Sequence, residues 1–177
     1  MAKITSNEYT KILWIPESAV TLVDGKPVWT VALLNNAAYD ISPAIAWADY
    51  ALGADNSDDI DDRGITDRGN VTGRGSASYS GTLSFFREKD PAATAATSDY
   101  KRVFELFRSP RTNGYLVTRV AIKHWTEAFA VGDYISAFKM IADSNPDVTD
   151  GDDYVKYTVN FLAQGYLDVY TKVVAGS

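Results

Sequence analysis

The sequence predicts a mainly β domain with one flanking α-helix and one long extended loop. Three observations carry that expectation. Tyr, Val, Thr and Ile fill short alternating runs in a chain whose aromatic content is 12%, which is strand composition. A single stretch, 97–109, shows apolar residues at helical spacing. A third stretch, 49–75, is polar and glycine-rich and exceeds the length at which a compact domain normally tolerates an unstructured connection. The chain has 177 residues, so one domain spanning 1–177 can bury about 70% of its unfolded surface without a disulfide or metal staple.

Strands are predicted near 11–16, 76–86, 114–124, 133–143, 153–163 and 166–174, with weaker candidates at 27–34 and 41–48. The clearest alternation runs from Ser76 to Ser84: Ala77, Tyr79, Gly81 and Leu83 point one way, the small hydroxyls the other. Period two places one face on a core and the other on solvent. Val155, Tyr157, Val159 and Phe161 likewise oppose Lys156, Thr158 and Asn160. Gly165 separates this run from the last and marks a tight hairpin or a bulge. The stretch 145–153, with Pro146, Gly151 and several Asp residues, reads as a connection between strands. For the helix, Thr97 or Ser98 is the N-cap, Asp99 suits the first turn, and Pro110 ends it. Tyr100, Val103, Phe104 and Phe107 form a stripe expected to lie buried on a sheet.

The loop at 49–75 has segregated charge. Asp49, Asp55, Asp58, Asp59, Asp61 and Asp62 accumulate first; Arg63, Arg68 and Arg74 follow, spaced by glycines. Such a segment either stays solvated or folds against a neighbouring subunit.

Composition removes most enzyme chemistries. There are 0 cysteines and 1 histidine, so thiolate catalysis and the usual zinc constellations are excluded, and a serine triad would rest on His124 alone. No nucleophile elbow, P-loop or dinucleotide-binding glycine pattern occurs. The Asp clusters starting at Asp55 and Asp147 miss the glycine and glutamate positions of an EF-hand. The expectation is a non-enzyme without cofactor or metal. A net charge of −6 argues against tight nucleic-acid binding, which uses basic faces. No apolar run approaches a membrane span, and no signal-peptide pattern follows Met1.

Four patches, in order and spacing, resemble the major tail (tail-tube) proteins of long-tailed siphophages, particularly those of actinobacteria. They are VALLNNAAYDIS at Val31–Ser42, GSASYSGTLSFFR at Gly75–Arg87, the helix followed by RTNGYLVTR at Arg111–Arg119, and YTVNFLAQG at Tyr157–Gly165. The first is similar to the family's early strand and turn. The resemblance implies a β-sandwich or half-barrel with one flanking helix. It also implies a structural virion protein that forms homohexameric rings stacked into the tail tube through which DNA is ejected. Partners would be copies of itself, the tape-measure, terminator and baseplate components, and DNA passing transiently without specific binding. The protein would assemble in the host cytoplasm and reside in the virion tail, with no membrane involved. Ser78, Ser80, Thr82 and Ser84 are the candidate lumen-facing residues, because small uncharged hydroxyls neither present an apolar patch nor clamp phosphate. The loop 49–75 is the candidate inter-subunit contact. Two alternatives stand beside this reading: another ring-forming tail protein such as a terminator, and a carbohydrate-binding β-sandwich using Trp14, Trp29, Trp47 and Trp125 as a platform.

Overall fold

The computed structural model describes residues 6–46, 51–54, 59–60, 73–74, 79–90, 92–149 and 154–176. Its helices are α1 (Ser6–Tyr9), α2 (Val31–Leu34) and α3 (Asp99–Phe107). Its strands are β1 (Thr10–Pro16), β2 (Leu22–Val23), β3 (Lys26–Pro27), β4 (Ala51–Ala54), β5 (Asp59–Ile60), β6 (Gly73–Arg74), β7 (Tyr79–Phe86), β8 (Thr112–Val120), β9 (Tyr134–Thr149) and β10 (Lys156–Lys172). One six-stranded antiparallel sheet, ordered β1-β8-β9-β10-β7-β4, forms the body and curls as a half-barrel.

Two patterns of strand sequence divide this sheet. The runs Ile12-Leu13-Trp14-Ile15 and Tyr115-Leu116-Val117 are continuously apolar, and β1 and β8 are covered on both faces. Ile12, Trp14 and Leu116 join Leu83, Phe85, Val103, Phe107, Met140, Tyr157, Val159 and Phe161 in one core. Leu13, Ile15, Tyr115 and Val117 join Trp29, Leu34, Phe129, Ile135, Ala137 and Val173 in a second. A strand buried on both faces has no polar side to alternate with. By contrast, β7 and the first half of β10 alternate apart from Phe86 and Leu162, and their apolar face is the covered one, with Ser84 the buried residue of the other face.

Helix α3 covers the first core. Ser98 is its N-cap, its Oγ accepting from the Lys101 amide at 3.4 Å. Val103 and Phe107 are fully buried, and Phe107 packs between Trp14, Phe85 and Phe161. The expected stripe is narrower than its spacing suggested. Phe104 is half-buried under the Arg87 guanidinium, 3.6 Å from its ring, and Tyr100 is exposed. A nine-residue helix on a curved sheet buries only the i, i+4 row that faces it directly.

Several sequence expectations need correction. The candidate strand at 27–34 contains β3 and then α2, because the Thr30 side chain caps the backbone at Leu33 and turns it. This also replaces the early strand expected in the Val31–Ser42 patch. The candidate at 41–48 is a 3-10 turn, Ser42–Ala44, with a single bridge from Ile45 to Phe85; Trp47 lies outside the described residues. The strand expected to reach His124 ends at Val120. The connection expected at 145–153 is strand as far as Thr149. The last two predicted strands are one, β10: Gly165, at φ +77°, sits in a register shift between Ala163 and Leu167 and is a bulge. The stretch 49–75 is not structureless. β4 adds an edge to β7, and β5 pairs with β6, so that Asp59 lies opposite Arg74.

Two residues hold the middle of the sheet. A Cβ on Gly114 would lie 2.7 Å from the Ile15 carbonyl oxygen and 2.7 Å from the Trp14 ring; only glycine lets β8 approach β1 here. Arg119, fully buried at the end of β8, gathers the turn between β8 and β9. Its guanidinium donates to the carbonyls of His124, Glu127 and Ala128 at 3.0–3.2 Å and lies 3.7 Å from Asp133. It also stacks 4.6 Å from the Phe129 ring centre. Burial pushes its pKa down, and Asp133 opposes that shift. Burial disfavours ionised Asp133, but hydrogen bonds from Lys123 and the Ala130 amide outweigh it and hold that carboxyl below 3.8.

Gly114→Ala is expected to lower stability by about 1–3 kcal/mol, from overpacking against Trp14, and Phe107→Ala by about 3–5 kcal/mol, both read by denaturant titration. Arg119→Ala strands three carbonyls, removes one of the two cations beside Asp133 and should cost about 3–5 kcal/mol. Asp133 has a depressed folded pKa, so its contribution is present above the unfolded value and lost as pH falls through the folded one. Asp133→Asn should therefore flatten the acid limb of the stability-versus-pH curve below about pH 4.

Candidate assembly surfaces

The open face of the sheet lies on β7, β10 and β9, opposite the first core. Register fixes its rows, since directly paired residues share a face. Ser80 is opposite Leu162, which is opposite Ile141; Thr82 is opposite Asn160, which is opposite Asp143; Ser84 is opposite Thr158. The Thr82 hydroxyl donates to Asn160 Oδ1 at 3.2 Å, and the Ser84 and Thr158 hydroxyls are 3.3 Å apart. Ser80 is exposed, Thr82 half-buried, and Ser84 only 8% exposed. The three sequence-predicted hydroxyls are thus brought together on one face, but Ser84 is tucked in beneath it, where its own carbonyl accepts from the Ala46 amide. Ser78 lies outside the described residues. Among these paired rows the only charge is Asp143. Lys139, further along β9, is neutralised by Glu17 at 2.6 Å, a hydrogen bond that also raises the lysine's pKa.

Of the predicted loop residues, Asp59 and Arg74 are placed, opposite each other in the β5–β6 ladder. Asp55, Asp58, Asp61, Asp62, Arg63 and Arg68 lie outside the described residues.

The tryptophan platform is not assembled. Trp14 and Trp29 are buried in opposite cores, and Trp125 is half-buried beside His124. His124 itself pairs through Nδ1 with the Thr126 hydroxyl at 2.8 Å. Among the described residues no group of three or more His, Asp or Glu could hold a metal ion, and no helix is long and apolar enough to cross a membrane.

Sequence reasoning missed the exposed apolar residues at the two ends of the sheet. Phe86, Tyr100, Tyr154 and Val155 gather where β7 ends and β10 begins, with ring centres 5.7–6.2 Å apart for the aromatic pairs. Val120, Ile122, Val131, Tyr134 and Tyr170 gather where β8 and β10 end and β9 begins. Phe86, Val120, Tyr134 and Tyr170 are strand residues and the others flank strands or lie on α3, and all of them resemble core sequence until the fold is known.

The fold is similar to that of the SPP1 tail tube, solved by solid-state NMR combined with cryo-electron microscopy: the TM-score is 0.51 at 13% sequence identity, over 99% of this chain and 80% of that one. No curated protein matches the sequence. The family model for the phage tail tube protein matches residues 1–176. With a half-barrel sheet and a match over nearly its whole length, the chain belongs to the phage tail tube protein family, a family of structural virion proteins.

Proposed function

We propose that this chain polymerises with copies of itself into the tail tube of a phage, as rings of six stacked along the tube, and that DNA passes through the lumen during ejection. The observation that carries this reading is the family match over residues 1–176. On this reading the protein assembles in the host cytoplasm, meets the tape-measure, terminator and baseplate components, and resides in the virion tail. The partly exposed β7–β10 face, with Ser80, Thr82, Asn160 and Asp143, lines the lumen. Its chemistry supports that role. DNA carries one negative charge per about 1.7 Å, and cations along the channel would hold it; hydroxyls, an amide, Leu162, Ile141 and one carboxylate do not, and the cation that continues this face of β10, Lys156, lies over the Phe86 ring at its end. The loop 49–75 reaches a subunit of the neighbouring ring.

Purified protein under assembly conditions should give rings or tubes by negative-stain electron microscopy; a protein that stays monomeric under every nucleating condition overturns the proposal, and single rings that never stack favour a terminator instead. Virions carrying Thr82→Arg with Asn160→Arg should form tails of normal length yet eject DNA more slowly, with a delay that shrinks as salt rises. Unchanged ejection kinetics would move the lumen to another face. Deleting 56–73 should leave a folded subunit, by circular dichroism, that builds no tubes. Normal tubes from that deletion would remove the loop from assembly.

A further inference from the structure

The two exposed apolar clusters lie at opposite ends of the same strands. Register places Phe86 opposite Lys156 and Thr149 opposite Lys156 at one end, and Thr10 opposite Val120 and Tyr134 opposite Lys172 at the other. Call them the upper and lower ends. Each end carries both a projection and a hollow. At the upper end Tyr154, 77% exposed, lines a groove of about 1030 Å³ with Phe86, Tyr100 and Val155, and Arg87, Glu88 and Lys89 complete its wall. At the lower end Val120, Ala121, Gly132, Asp133, Tyr134 and Tyr170 line a hollow of about 390 Å³, and Ile122, the residue after Ala121, is 84% exposed.

Large exposed apolar side chains gathered in one place mark interaction sites. These two differ in composition, so neither is self-complementary in the way a two-fold dimer needs. They do suit each other. The upper end is aromatic, with Arg87 and Lys89 at its rim and the one carboxylate there, Glu88, already bonded by the Ser98 hydroxyl; the lower end presents two tyrosine rings and aliphatic side chains, and its one carboxylate, Asp133, is already bonded by Lys123. Cations already stack on rings at both ends within the subunit: Lys156 is 5.6 Å from the Phe86 ring and Lys172 is 5.4 Å from the Tyr134 ring. Exposed Lys89 has no partner among the described residues and can reach a further ring. A shift of one copy along its own strands brings the upper end of that copy against the lower end of the next. A contact between two different surfaces is heterologous, and when it does not close on itself it propagates.

We infer that the Tyr154 end and the Ile122 end are the two halves of one head-to-tail contact between successive copies of this chain along the tube axis. The inference rests on the tube reading and adds to it the surfaces that meet. The contact is apolar at its centre, and it therefore persists at salt concentrations that weaken a charged loop contact.

The test uses the full chain and two variants, Tyr154→Asp and Ile122→Asp. Both sites are exposed, so each variant should fold, as checked by circular dichroism and thermal melting. Each alone should form no tubes, because each has lost one half of the contact. Mixed, they retain one intact upper half and one intact lower half. The mixture should give a discrete complex two subunits deep that grows no further, seen by analytical ultracentrifugation and negative stain. Because the natural chain has 0 cysteines, a Tyr154→Cys, Ile122→Cys double variant supplies a second readout: a short bismaleimide should join successive copies in tubes. Wild-type protein that never polymerises overturns the tube reading and the contact together. Wild-type tubes, with variants that also polymerise, with a mixture that fails to join, or without inter-copy cross-links, overturn the contact alone.

Discussion

The structure depends on β1 and β8 being apolar on both faces. A strand of that kind has to be roofed twice, and the rest of the chain is arranged to do so. Helix α3 and the Ser42–Ala44 turn close one side over Trp14 and Phe85. The segment carrying Trp29 and Leu34, the turn carrying Phe129, and Val173 close the other. Gly114 is the condition for this arrangement, since the Trp14 ring occupies the space its Cβ would take. Because roofing is concentrated at the β1–β8 side, the β7–β10 side is left open on one face, and that asymmetry separates a scaffold half from a surface half.

Arg119 solves a second problem. The turn between β8 and β9 has carbonyls that neither strand ladder can satisfy, and buried carbonyls without donors are costly. One guanidinium supplies three of them and is balanced by Asp133, itself held by Lys123. On the outside of the same turn Ile122 and Val131 are exposed. Tyr157 is a contrasting case. Its hydroxyl, like the Trp14 and Trp29 indole nitrogens, has no hydrogen-bond partner among the described residues, and burial raises its pKa. Ring packing against Phe85 and Phe104 outweighs that loss. Tyr166, held by burial and a hydrogen bond to Asp168, is pushed up to about 12 and stays protonated at any physiological pH.

The open face and the two ends illustrate how a subunit can be stable alone and still be built for assembly. Its two cores are complete within one chain. Outside them lie hydroxyl and amide groups paired across strands, Thr82 with Asn160 and Ser84 with Thr158, together with Leu162, 50% exposed on the same face, and the apolar residues at the two ends of the sheet.

The sequence by itself determined the mainly β character, the alternation in β7 and β10, and the helix with a cap at Thr97 or Ser98, of which the structure uses Ser98, because each follows from local periodicity and a capping side chain. It also determined that thiolate catalysis and cysteine-based zinc sites are closed to the chain, since it has 0 cysteines. Only the tertiary structure decided that Val31–Leu34 turns into a helix, that Gly165 is a bulge within one long strand, and that Tyr100 stands outside the helix stripe. Burial depends on which element lies opposite, and spacing along one element cannot specify that. The same limit hid Arg119, which reads as an ordinary strand-end cation until the turn folds around it. It hid the two apolar ends as well: Tyr154 and Ile122 have the side chains of core residues, and only the tertiary structure leaves them exposed.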